Sequence, residues 1–221
     1  MPIHFEVFSD IACPWCYIGK RRFERALEGF GHSDEVDVVW RSFQLNPEAP
    51  PRAEGSYRDL LGRKYGRSEA EAEQMLDGMT ELGAAEGLEL RFDLVQPANT
   101  FDAHRLVHLG AELGCQAPVK ERLMRAYLCE GRLLSDHDTL RELAADVELP
   151  AELTDELLGS RMFAERVEAE RELAIGFGIR GVPFFAVERQ MGSAGAQPVT
   201  TMRELLEESW RRFGPGSPDG A

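Results

Sequence analysis

Two cysteines three positions apart, Cys13 and Cys16, stand where a strand-like segment gives way to a helix-like one. Residues 3–9 (IHFEVFS) alternate apolar and polar side chains, and residues 17–27 place apolar side chains at helical spacing. Unpaired N–H groups and the helix dipole stabilise an anion at a helix N-terminus, so Cys13 is expected to be a reactive thiolate at neutral pH. Because Cys16 lies one turn on, within disulfide reach, the pattern predicts a redox-active dithiol.

The spacing alone is compatible with two other interpretations, a pair of buried cysteines and half of a zinc site. No second cysteine pair or matching histidine cluster completes a tetrahedral set of ligands, so no metal is expected. Pro14 suits the first turn of the helix, and Trp15 offers an apolar surface beside the sulfur of Cys13. We predict that both residues contact the substrate.

The order of the remaining segments is strand, helix, strand, a long helical block, and then strands and a last helix. Residues 36–43 (VDVVWRSF) form a second β-rich run, and three prolines follow within residues 46–56. From there to about residue 176 nearly everything is helical in pattern, with a capping box at Ser68 and Glu71. Residues 184–188 (FFAVE) restore the β pattern. Helices are also predicted over 161–175 and about 200–213, and the tail 214–221 is predicted to be disordered.

Charge and composition exclude several classes of protein. The net charge of −14 repels phosphates and anionic lipid, so neither nucleic acid nor a membrane is an expected partner. No apolar run approaches the ~20 residues of a membrane span, and the N-terminus lacks the pattern of a signal peptide. Four cysteines in 221 residues do not make a disulfide-stapled scaffold, and the predicted location is a reducing cytoplasm.

Several segments together resemble a known family. The segments SDIACPWCYIGKRRFE, FQLNPEAP, ANTFDAHRL, GVPFF and GAQP resemble the DsbA-like thioredoxin proteins, within them the FrnE-type cytosolic branch. The resemblance implies an α/β thioredoxin-like fold formed by residues 1–49 and 161–213, with an all-helical subdomain, 50–160, inserted into it. It also implies a redox pair opposed by a cis Val182–Pro183 bond. An ordinary trans proline at a strand start is the alternative.

The function implied is thiol–disulfide exchange with protein or small-molecule thiols and disulfides. Cys13 attacks and Cys16 resolves, while Val182, Pro183 and a cleft near Asn99 and Thr100 bind the substrate. No bound cofactor is expected beyond the redox-active disulfide, with glutathione a candidate co-substrate. Two alternatives stay open. One is a glutathione-dependent isomerase or transferase of the 2-hydroxychromene-2-carboxylate isomerase type, and the other is a chaperone-like protein that binds extended peptide.

Five further residues are weaker candidates. Cys115 and Cys129 fall in separate helical segments, where inert packing is favoured over an accessory thiol pair. His104 and His108 are four residues apart on one helix, a spacing that metals can use, although a helix-surface or core position is favoured. Asp10 is either a base that tunes the thiol pKa or a carboxylate that caps a loop. Two tryptophans are expected in packing roles, Trp40 and Trp210.

Overall fold

One four-stranded sheet organises the chain. The structure is a computed structural model that describes residues 2–215 and 217. Its strands are Ile3–Ser9 (β1), Val36–Ser42 (β2), Phe184–Val187 (β3) and Met191–Ala194 (β4), in the order β2-β1-β3-β4. β1 runs parallel to β2, β3 is antiparallel to β1, and β4 is antiparallel to β3. The predicted pairing of the late strand with the first one is therefore confirmed.

Nine α-helices lie among the described residues. They are Pro14–Glu28 (α1), Tyr57–Tyr65 (α2), Glu69–Ala85 (α3), Phe101–Glu112 (α4), Gln116–Leu128 (α5), His137–Asp146 (α6), Ala151–Gly159 (α7), Ala164–Gly176 (α8) and Val199–Phe213 (α9). α1 makes the crossover that two parallel strands require. The mixed α/β class is confirmed, and seven helices, α2 to α8, separate the first two strands from the last two. The domain boundaries at 49/50 and 160/161 remain a prediction.

The helix ends that the sequence analysis located lie within a few residues of those in the structure. The Ser68–Glu71 capping box is present, with both reciprocal hydrogen bonds formed. The helix predicted over 161–175 begins later, at Ala164, because Phe163 adopts a left-handed backbone with φ of 61° and cannot continue a helix. The tail predicted to be disordered, residues 214–221, lies mostly outside the described residues.

Apolar side chains cover both faces of the sheet. α1 and α9 pack on one face, where Phe5, Phe23 and Phe185 form a chain of ring contacts. Phe8 points to the other face and meets residues of α8. The largest cluster joins α2 to α7 with Cys13 and Cys16, so the helical block shares its core with the cysteine motif. Among the described residues, no helix is long and apolar enough to cross a membrane.

Candidate functional site

The cysteine motif lies at the junction that its sequence predicts. Cys13 is the residue before α1, with an extended backbone, and Pro14 is the first residue of the helix. Proline suits this position because its φ is fixed near the helical value and its missing N–H would have no partner there. The backbone N–H of Cys16 donates to the carbonyl oxygen of Cys13 at 3.0 Å. The two side chains are 5% and 1% exposed, and both thiols are free.

The two thiols have opposite acidities. A hydrogen bond from Cys16, assisted by backbone N–H groups at the start of α1, lowers the pKa of Cys13 below the ordinary thiol value, and these contacts outweigh its burial. Burial raises the pKa of Cys16 well above that value, and the adjacent Cys13 sulfur raises it further. One thiol is therefore set up to ionise and its neighbour to remain protonated.

Val182 and Pro183 face the motif from the sheet. The peptide bond between them is cis, as the resemblance implies. The thiol of Cys13 lies 3.8 Å from the carbonyl oxygen of Val182, within the range of a weak sulfur hydrogen bond. A Cβ placed on Gly19 would lie 2.9 Å from Cγ of Pro183, so α1 approaches this proline ring as closely as a glycine allows. The cysteine motif and the Val182–Pro183 segment, which are distant in sequence, therefore meet at the sulfur of Cys13.

Asp10 is a buried loop carboxylate. Its oxygens accept hydrogen bonds from the backbone of Ala12 and Leu45, from the hydroxyl of Thr100 at 3.0 Å and from His104 Nε2 at 3.2 Å. Burial opposes its ionisation, but these donors outweigh that effect and hold the pKa of Asp10 below its usual range. These hydrogen bonds hold the loop before Cys13, in line with the loop-capping interpretation, and the charge of Asp10 also acts to raise the pKa of Cys13.

The two residues predicted to line the cleft have different positions. Thr100 borders a cavity beside Cys13. Asn99 does not border it; instead its side chain donates to the carbonyl oxygens of Pro47 and Ala49, at 3.0 and 2.9 Å, and accepts from the N–H of Phe101. Asn99 therefore holds the loop after β2 against the start of α4. A role in substrate binding for either residue remains a prediction.

The weaker candidates occupy packing positions. His104 and His108 are 0% and 4% exposed, so both are core residues. Burial lowers the pKa of His104, which leaves the ring neutral and able to donate to Asp10. Cys115 and Cys129 are half-buried against the core, and burial raises the pKa of Cys129 to about 11. The described residues contain no group of three or more histidine, cysteine or acidic side chains arranged to hold a metal. Two tryptophans pack around the sheet core as expected, Trp40 and Trp210.

Lys120 is a fully buried cation that the sequence analysis missed. It lies in α5, and its Nζ donates to the carbonyl oxygen of Ser9 at 3.2 Å. Burial lowers the pKa of Lys120 to about 8, although the thiol of Cys16 and nearby carboxylates act in the opposite direction. The sequence did contain a sign of this burial, because Lys120 shares a helical face with Leu123 and Tyr127, whose side chains are buried, and a lysine is unusual on such a face.

A cavity of about 480 Å³ opens beside Cys13, between the motif and the helical block. Cys13, Pro14 and Trp15 form one side of it, and Trp15 is 39% exposed. The opposite walls come from the loop after β2 and from α2, α3 and α5, with residues that the sequence analysis did not identify; they include Tyr57, Leu61, Arg63, Lys64, Met79 and Tyr127. These residues are far apart in sequence, so only the packing of the helices brings them together.

Comparison with known proteins agrees with this geometry. The model of the DSBA-like thioredoxin domain matches residues 5–207, almost the whole chain. The chain belongs to this family. A crystal structure described as a probable DsbA oxidoreductase from Streptomyces coelicolor is 36% identical and superposes with a TM-score of 0.90, with 97% of each chain covered. The resemblance stated from the sequence is therefore confirmed.

Two more distant structures share the fold. The cytosolic disulfide reductase DsbM from Pseudomonas aeruginosa is 21% identical, with a TM-score of 0.66 over 94% of this chain and 98% of its own. DsbM has also been solved with GSH. A 2-hydroxychromene-2-carboxylate isomerase is 16% identical, with a TM-score of 0.68 over 94% of this chain and 96% of its own. The fold thus serves both disulfide reductases and an isomerase.

Proposed function

We propose that this DsbA-family protein is a thiol–disulfide oxidoreductase or isomerase that works by dithiol–disulfide exchange through Cys13 and Cys16. The observation that carries the proposal is the opposite acidity of two adjacent thiols at one helix N-terminus. The thiolate is the nucleophile in disulfide exchange, so the acidic thiol of Cys13 attacks. Cys16, which is buried and protonated, lies one turn further along the helix.

The reaction exchanges one disulfide for another. The Cys13 thiolate attacks a substrate disulfide, forms a mixed disulfide and releases the first substrate thiolate. Cys16 then loses its proton and attacks the Cys13 sulfur, which releases the second substrate thiolate and leaves a Cys13–Cys16 disulfide. Two molecules of a low-molecular-weight thiol such as glutathione return the pair to the dithiol and leave as their own disulfide. Oxidation of a dithiol substrate is the reverse sequence.

The substrate is held on both sides of Cys13. On the sheet side, the backbone of Val182 beside Pro183 pairs with an extended segment of a protein substrate, which requires no particular sequence. On the helical side, Pro14, Trp15 and Thr100 border the cavity. We place the reaction in the cytoplasm, in line with the cytosolic disulfide reductase that shares the fold.

A glutathione-dependent isomerase is the second candidate. The cavity beside Cys13 favours it, because a small substrate could bind there next to a glutathione sulfur, and an isomerase shares the fold. The two candidates differ in their need for Cys16. An isomerase of this type requires Cys13 alone, whereas dithiol exchange requires both thiols.

Reduction of insulin, with the reduction potential measured alongside, separates these candidates. We expect Cys13→Ser to abolish turnover and Cys16→Ser to lower it by at least a hundredfold while mixed disulfides with Cys13 accumulate. The double variant Cys115→Ser, Cys129→Ser is the control and should keep full activity. An inactive wild-type protein, or a Cys16→Ser variant that turns over at the wild-type rate, would contradict the dithiol mechanism.

A further inference from the structure

Building on the exchange reaction proposed above, we propose that the cavity beside Cys13 binds the body of a low-molecular-weight disulfide that carries an aromatic group and a negative charge. A volume of about 480 Å³ lies in the range of small-molecule sites. Cys13 borders the cavity directly, so a ligand bound there has its sulfur beside the attacking thiol. Val182 and Pro183 lie outside its walls, and a peptide strand on the sheet side would leave it empty.

The walls suit an aromatic ligand. Tyr57 and Tyr127 are buried, and the ring of Tyr57 is held in place by stacking on Phe92, with ring centroids 5.3 Å apart and planes inclined by 13°. Flexible methionine side chains, Met75 and Met79, complete this side of the cavity and can adapt to a ring. Stacked and methionine-lined surfaces of this kind bind flat apolar groups.

The hydroxyl of Tyr57 is a donor without a partner. The residue is only 7% exposed, yet among the described residues no group forms a hydrogen bond with this hydroxyl. Burial raises the pKa of Tyr57, so the hydroxyl stays protonated. The hydroxyl is not one of the fully enclosed polar atoms that lack a partner, so it is open to the cavity, where a ligand acceptor would pair with it.

Exposed apolar surface borders the cavity mouth. Three large apolar side chains that border it, Trp15, Leu45 and Tyr65, are 39%, 38% and 52% exposed. Exposed aromatic surface next to a pocket is costly in water and is typical of a site that binds a ligand. A bound aromatic group would cover part of it.

The charge around the cavity favours an anion. Arg63 and Lys64 border it, and neither forms an ion pair within the described part of the chain, whereas most arginines of this protein do. Arg63 also donates to the carbonyl oxygen of Glu54 at 3.3 Å and lies near the Asp59 carboxylate, which caps α2. The carboxylate on the cavity wall is Asp10, already bonded to four donors. In a chain of net charge −14, these two cations on the cavity wall attract an anionic ligand.

Stopped-flow reaction of the reduced protein with two aromatic disulfides tests the assignment. One probe is the dianionic 5,5′-dithiobis(2-nitrobenzoate), and the other is the neutral 4,4′-dithiodipyridine. In Arg63→Gln, Lys64→Gln we expect the rate constant for the dianion to fall about tenfold and that for the neutral probe to stay within twofold. The control Arg58→Gln, Arg67→Gln makes the same charge change at residues that do not border the cavity, and both of its rates should match the wild type. Equal losses in the two double variants, or for the two probes, would refute the charge selection.

A binding experiment without exchange chemistry separates the two proposals. In Cys13→Ala, Cys16→Ala, the fluorescent aromatic anion 8-anilinonaphthalene-1-sulfonate should bind, and adding Arg63→Gln and Lys64→Gln should weaken binding about tenfold. Adding Tyr57→Phe should weaken it severalfold, because the donor is lost and the ring retained. If the wild-type protein exchanges no disulfide while the double variant still binds the anion in a charge-dependent way, the proposed function is overturned and the cavity's ligand class is supported. If the wild-type protein exchanges disulfides while the double variant does not bind the anion, the proposed function is supported and the ligand class is overturned.

Discussion

At the scale of single residues, the contact between Cys13 and Cys16 sets the acidity of both thiols. The thiol of Cys16 donates to the sulfur of Cys13, which is the largest cause of the lowered Cys13 pKa. The same proximity makes ionisation of Cys16 unfavourable, since it would place two anions side by side in a buried site. Cys13 therefore owes its acidity to Cys16 as well as to the helix N-terminus.

Removing the donor should weaken the nucleophile. In a Cys115→Ser, Cys129→Ser background, iodoacetamide should modify Cys13 first, with a rate that follows its ionisation. Cys16→Ala should shift the pH midpoint of this alkylation upward, because the thiolate loses its largest stabilising contact. Cys16→Ser keeps a donor and should shift it less. An unchanged midpoint in Cys16→Ala, measured by mass spectrometry, would assign the acidity of Cys13 to the helix alone.

At the scale of elements, α1 and the loop before β3 are held in near contact. Gly19 faces the ring of Pro183 on one side and the backbone of Ala196 on the other, and a Cβ would lie 2.9 and 3.4 Å from them. Neither a proline ring nor a backbone atom can move aside without moving its segment. The distance between Cys13 and Val182 therefore depends on a helix residue without a side chain.

Gly19→Ala should lower both stability and activity. Alanine favours a helix by about 1 kcal/mol over glycine, but forcing the helix from Pro183 costs about 1–3 kcal/mol. We expect a net loss of about 1 kcal/mol in the free energy of unfolding and slower exchange. Gly78→Ala in α3 is the matched control, because no atom lies within 4 Å of its Cβ. Gly78→Ala should increase the free energy of unfolding by up to about 1 kcal/mol and keep full activity. Denaturant titration and the insulin assay measure both effects; equal behaviour of the two variants would contradict the packing argument.

At the scale of the whole molecule, buried polar contacts join the helical block to the ends of the strands. The side chain of Gln116 exchanges two hydrogen bonds with the backbone of Trp40 in β2. Lys120 of the same helix donates to Ser9 at the end of β1. Glu170 of α8 accepts hydrogen bonds from the backbone of Ser42 and from Arg41, and it contacts His108 of α4. Burial opposes its ionisation, but these contacts lower its pKa to about 2. These contacts align the block that forms the cavity with the sheet that carries Cys13.

Lys120 should make stability increase in alkaline solution. Its pKa is about 8 in the folded chain and 10.5 for a free lysine, so between these values the unfolded chain binds more protons. The free energy of unfolding then rises with pH across that window, by roughly 2–3 kcal/mol from this residue. We expect the difference between the wild type and Lys120→Met, measured by denaturant titration, to show this rise between pH 7 and 10. Lys64→Met, at an exposed position, should show no such difference from the wild type. If the free energy of unfolding of Lys120→Met and of the wild type changed in parallel with pH, a lowered pKa of Lys120 would be contradicted.

Local patterns predicted the parts of this fold that depend on neighbouring residues. Alternation identified β1, helical spacing identified α1, and the Ser68–Glu71 capping box located the start of α3, because each rests on contacts within a few residues. The predicted start of α8 was wrong because Phe163 adopts a left-handed backbone that no local sequence pattern predicts. Lys120 was overlooked because its charge argued for the surface, and tertiary burial overrode that preference.

By itself, the sequence determined the placement of Cys13 and Cys16, because a strand, a proline and a helix start are enough to place two thiols one turn apart at a positive helix end. Only the tertiary structure decided what surrounds them. The positions of Val182 and Gly19, 163 residues apart, follow from the antiparallel pairing of β3 with β1. The cavity follows from helices that pack against the motif from a distant part of the chain. Such contacts are set by the mutual fit of many side chains, so no short stretch of sequence encodes them.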